Sequence, residues 1–66
     1  MRIGERVIID GYPATIVALP AERSFADDYP STEWGHLKTG LLVVDDAAGL
    51  VHYPDLSALN IKHLGG

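Results

Sequence analysis

GLLVVDDAAGLVHYPDLSALNIK, residues 40–62, is built from two short apolar runs separated and followed by turn chemistry. Residues 41–44 and 50–53 are aliphatic and β-branched, short enough for strands and too short for helices. Asp45-Asp46-Ala47-Ala48-Gly49 between them reads as a hairpin connection. Tyr53-Pro54 ends the second run, because proline donates no backbone hydrogen bond and restricts the residue before it. Residues 55–58 leave room for one tight 3₁₀ turn, after which Leu59-Asn60-Ile61-Lys62 resumes the in-out alternation of a strand. The segment is all-β. Asp45 and Asp46, neighbours on a strand, point to opposite faces, so they read as carboxylates that solvate the turn or accept its N–H groups rather than as a catalytic pair.

The N-terminal side repeats the pattern. Residues 6–10 form a first strand, Asp10-Gly11 and Tyr12-Pro13 punctuate it, and residues 14–19 form a second, giving a tight antiparallel hairpin. Five strands result, at about 5–10, 14–19, 39–45, 49–53 and 59–62. Their core is expected from Val7, Ile9, Ile16, Leu41 or Leu42, Val43 or Val44, Val51, Leu59 and Ile61.

Residues 21–38 lose all periodicity and collect Asp27, Asp28 and Glu33 with Phe25, Tyr29 and Trp34. A loop of this length in so small a chain either carries function or adds core. The first expectation is a lid, with Trp34 buried and at least one of Phe25 and Tyr29 exposed. The second is recognition: rings among carboxylates suit a protein, a peptide or a cationic ligand. The first and third strands are apolar on both faces, so something must cover the outside, either this loop or another copy of the chain. A homo-oligomer is the expected form.

The chain's 66 residues amount to a single domain, 1–66, near the lower limit for a self-sufficient core. Without cysteine, disulfides and thiolate metal sites are excluded. A net charge of -4 disfavours a phosphate backbone as partner. No apolar stretch approaches the roughly 20 residues of a membrane span, and no signal peptide is visible, so no membrane is expected and a cytoplasmic location is the default. His36, His52 and His63 fit no metal-ligand spacing. His52 alternates against Val51 and Tyr53 and so faces outward or into an interface, where its protonation tunes association. Ser24, Ser31 and Ser57 have no nucleophile-elbow context. No catalytic residue, metal ligand or cofactor is expected.

Gly4-Glu5-Arg6-Val7, Thr15-Ile16-Val17 and Gly49-Leu50-Val51-His52-Tyr53-Pro54 through Leu59 and Ile61 resemble the small SH3-like barrels, in which first and last strands pair. Among these the chain looks most like the plasmid-type (type II) dihydrofolate reductases, which share the G-[DE]-R-V opening and a strand running into Tyr-Pro; KOW and CAP-Gly barrels are similar more distantly. The resemblance implies a small five-stranded SH3-like barrel with a long loop between strands 2 and 3 and a 3₁₀ turn before the last strand. Members of that reductase family build a tetramer pore from a Val-Gln-Ile-Tyr segment. Val51-His52-Tyr53 stands in its place, with Tyr53 matching the tyrosine and the glutamine missing, so no dihydrofolate reduction is expected.

Three functions follow. The leading one is a non-enzymatic, self-associating interaction module that binds a protein or peptide through Phe25, Tyr29, Trp34, His52 and Tyr53. The others are an enzyme with a site at a subunit interface, and a nucleic-acid-binding barrel. The scattered positions of Arg2, Arg6, Arg23, Lys38 and Lys62 argue against the last.

Overall fold

A computed structural model describes residues 1–65. Six strands lie in one antiparallel sheet: β1 Arg6–Ile9, β2 Tyr12–Leu19, β3 Ser24–Phe25, β4 Leu41–Asp45, β5 Gly49–Tyr53 and β6 Ile61–Gly65. The order is β5-β4-β2-β1-β6, with the two-residue β3 also on β2. The hydrogen-bonded path therefore has two ends, β5 and β6. In place of the expected five-stranded closed barrel, the sheet is open and carries one strand more.

The β1–β2 hairpin explains why β2 begins earlier than expected. Asp10 and Gly11 both have positive φ, 50° and 91°, which is the type I′ geometry that matches strand twist in a two-residue loop. Ile9 therefore pairs directly with Tyr12, and Tyr12-Pro13 belongs to the strand. At the β4–β5 hairpin the Asp45 carboxylate closes the turn, its Oδ1 accepting the amides of Ala47 at 2.8 Å and Ala48 at 2.9 Å.

The 3₁₀ turn is at Pro20–Glu22, after β2, and not before the last strand. Pro20 suits a helix start because its missing N–H would be unpaired there anyway. Ahead of β6 a single turn suffices. Leu59 N donates to Leu56 O at 3.1 Å, and the Asp55 carboxylate takes the Ser57 amide and hydroxyl at 2.9 and 2.8 Å. Asn60 is then held in both directions by Asp10, its amide donating to Asp10 Oδ1 and its carbonyl accepting Asp10 N, each at 2.9 Å. That tie starts β6 immediately.

The sheet buries both faces, as its sequence requires. On the inner face Val7, Ile9, Ala14, Ile16, Leu19, Leu41 and Val43 are buried, and Ile3, Val51, Tyr53, Leu56, Leu59 and Ile61 pack against them. On the outer face Val17, Ala18 and Leu42 are buried beneath Phe25, Ala26, Tyr29, Trp34, Leu37 and Val44. Leu41 and Leu42 thus both belong to cores, on opposite sides. A register shift between Ile16 and Ala18 inserts an extra residue in β2, so that Val17 and Ala18 both serve the outer cluster before Leu19 returns inward.

The cover of the outer face is the chain's own 20–38 segment. Ala26 N bonds Val17 O at 2.9 Å, and a one-turn helix α1, Ser31–Trp34, brings Tyr29 and Trp34 to a tilted contact with centroids 6.1 Å apart. Arg23 clamps the segment: its Nη1 donates to Gly35 O at 3.0 Å and Leu37 O at 3.1 Å, while its guanidinium carbon sits 5.0 Å from the Phe25 ring centroid. The chain rejoins the sheet at Gly40, where φ is 80° and a Cβ would fall 1.7 Å from Tyr53 O. Only glycine fits there.

Candidate binding cleft

The structure divides the five residues singled out from sequence. Phe25, Tyr29 and Trp34 are half-buried in the outer cover, so none of the three stands fully exposed and Trp34 is less buried than expected. One of these rings, Phe25, meets a cation of the chain itself, Arg23. His52 lies on the outer side of β5 opposite Leu42, with Nε2 donating to Thr39 O at 3.1 Å. Tyr53 lies on the inner side. His52 and Tyr53 therefore face opposite sides of β5, and one subunit does not bring both to a common wall.

The inner face runs out into an open cleft of about 320 Å3 lined by Tyr12, Asp45, Ala47, Ala48, Val51 and Tyr53. Strand alternation assembles it. Tyr12, Ala14 and Ile16 share one face of β2, Leu41, Val43 and Asp45 share one face of β4, and Val51 and Tyr53 share one face of β5. Where the core residues of these rows stop, Tyr12, Asp45 and Tyr53 continue the same surface. Tyr12 is 59% exposed although its strand is central.

The electrostatics of the cleft are negative. The Tyr53 phenol is pushed above its ordinary value first by burial and then by the charges of Asp45 and Asp10, so it stays protonated and available as a hydrogen-bond donor. Asp45 is 6% exposed and anchored by two backbone amides, which fixes its carboxylate in place. Its neighbour Asp46 turns to the other face and forms a bidentate pair with Arg6, at 2.9 and 2.6 Å. Arg6 also holds Thr15 Oγ1 at 2.7 Å. This cation is therefore committed away from the cleft, and with Arg23 committed to the loop, Arg6 and Arg23 are not offered to a phosphate backbone.

The histidines are distributed among separate contacts. His36 Nδ1 donates to Glu33 O at 3.1 Å and its ring stacks on Trp34. His63 Nδ1 donates to Glu5 Oε2 at 2.5 Å, tying β6 to the entry of β1. That bond, with the Arg2 amide on Oε1, holds the Glu5 carboxyl below its ordinary range. Among the described residues no group of His, Asp and Glu is placed to hold a metal ion, and no helix is long and apolar enough to cross a membrane.

Sequence reasoning missed Tyr12, read as turn punctuation because Pro13 follows it. The signal was present in the period-two series Tyr12, Ala14, Ile16. The expected role of Asp45, accepting turn amides, is what the hairpin shows. Comparison with protein-family models, with curated proteins and with solved structures gave no match.

Proposed function

We propose that the chain is a small SH3-like interaction module, without chemistry of its own, that docks a segment of a partner polypeptide in the Tyr12–Tyr53 cleft. The observation that carries this reading is the cleft itself, in which two phenols and the small side chains of Ala47 and Ala48 form an apolar floor that stays open on the inner face, whereas the chain's own loop covers Val17, Ala18 and Leu42 on the outer face. Rigid aromatic rings on strands give contact area with little entropy left to lose, which is what a docking site for a flexible segment needs. The pairing of β1 with β6 supports the SH3-like part of the reading, since first and last strands pair in those barrels. Self-association, the other part of the expectation from sequence, would not use the outer face over Leu42, which the loop occupies, and has the sheet ends β5 and β6 open to it.

Selection of random heptapeptides displayed on phage against the folded chain tests this. Binders are expected to move the amide resonances of Tyr12, Ala47, Ala48, Val51 and Tyr53, and to lose about tenfold or more in affinity to Tyr12→Ser. Binders that map to the 20–38 loop instead, or a selection that yields none in the cleft, overturn the reading.

A further inference from the structure

We infer that the group the cleft receives is the cationic side chain of a lysine or arginine on the partner polypeptide. The inference rests on the docking reading above and specifies its chemistry. Of the six residues that line the cleft, two offer phenol rings and one a carboxylate, and none is a cation. The charge of Asp45 is also not free to leave. Its Oδ1 accepts two amides of its own turn, so the carboxylate cannot swing into solvent without undoing the hairpin connection. Arg6, the cation that would otherwise reach this hairpin, is on the opposite face in its two-point pair with Asp46.

The occupant's chemistry follows from what each alternative would cost. An apolar side chain seated on Tyr12 and Tyr53 would leave the charge of Asp45, only 6% exposed, without a counter-charge. An acidic side chain would add repulsion from Asp45 and from Asp10, whose charge also raises the Tyr53 phenol. A lysine or arginine brings an apolar stem for the alanines and Val51, a charge for Asp45, and a cation for the ring faces. The net charge of -4 attracts such a partner from a distance. The same pairing of ring and guanidinium is already made inside the molecule, where Arg23 lies over Phe25.

The test titrates acetyl-Gly-Arg-Gly-amide, its citrulline counterpart and tetramethylammonium chloride into the labelled full chain, following cleft amides. Citrulline keeps the shape of arginine and removes the charge. The arginine peptide is expected to bind about fivefold more tightly than the citrulline peptide, and Asp45→Asn is expected to bring that ratio to about twofold or less. Should Asp45→Asn fail to fold, Asp10→Asn must lower the ratio and high salt must do the same. If both peptides move the cleft amides equally, the cationic specificity is wrong and the docking reading stands. If neither moves them, both fall. If tetramethylammonium saturates the cleft as readily as the arginine peptide, the site is one for a small free cation, and its assignment to a polypeptide side chain is overturned.

Discussion

Truncating Leu42 separates a cover supplied by the chain from a cover supplied by a second copy. Leu42 is 1% exposed, wedged between Val17 and Ala18 and roofed by the loop's aromatic residues. Leu→Ala at such a position costs about 2 to 5 kcal/mol, from lost transfer energy and the cavity left behind. At roughly 0.05 to 0.15 kcal/mol per residue a chain of this length has only about 3 to 10 kcal/mol to lose, so Leu42→Ala is expected to remove about a fifth or more of the stability. With an m-value on the order of 1 kcal/mol per molar urea, the midpoint should fall by about 2 M or more, read from Trp34 fluorescence. Leu50→Ala provides the internal control: it lies on the same outer face of β5 but is 40% exposed, and its change should stay below about 1 kcal/mol. Leu42→Asp should leave no folded baseline, since a carboxylate would be buried without a partner. A Leu42→Asp protein that folds with wild-type stability would refute the reasoning. So would a wild-type midpoint that rises with protein concentration and loses that dependence in Leu42→Ala, which would mean that another copy covers the face.

Gly40→Ala should be much worse than Gly49→Ala although both glycines have positive φ: the new methyl meets Tyr53 O in the first case and open space in the second. Gly49→Ala should cost about 1 to 2 kcal/mol of backbone strain, and Gly40→Ala should exceed it clearly in the same urea titration. Trp34→Ala, at a half-buried ring, should cost about half of the roughly 3 to 5 kcal/mol of a fully buried one; near-zero cost would make the ring a surface contact. Acid sensitivity should come from carboxylates: Glu5 is held low chiefly by its hydrogen bond with His63, Asp46 by Arg6 and Asp55 by Ser57. Groups with depressed folded values stabilise above their unfolded pKa and lose that contribution as pH falls through the folded one, so the loss should begin below about pH 4. Glu5→Gln should flatten the stability curve in that window, and an unchanged curve would show that the His63 bond does not form.

Much of the sheet was legible because its signals are local. Short aliphatic and β-branched runs bounded by turn residues marked β1, β4 and β5, the Asp10-Gly11 pair marked a tight hairpin, and the doubled apolar faces of 7–9 and 41–44 announced a covered outer side. The features that were not legible depend on contacts far apart in sequence. The extra residue near Val17 is placed by the packing of β2 against β4, and the start of β6 after its single turn is set by the reciprocal bonds between Asp10 and Asn60, fifty positions apart. Whether the sheet closes depends on β5 and β6, the two strands that no local pattern relates. The cleft was missed for the same reason: Tyr12 and Tyr53 are ordinary strand residues until β2, β4 and β5 are laid side by side.

Which face of the sheet is closed by the chain itself and which is left open underlies both the stability and the docking assignments. A neutral gadolinium chelate added to a dilute sample, at a concentration where sedimentation gives the 7.1 kDa monomer, measures this through the relaxation of side-chain protons. The Tyr12 ring should relax strongly while the methyl groups of Leu42 and Val17 stay nearly unaffected. Leu42 methyls that relax as fast as the Tyr12 ring would contradict the arrangement, because the loop would then not be the cover of the outer face.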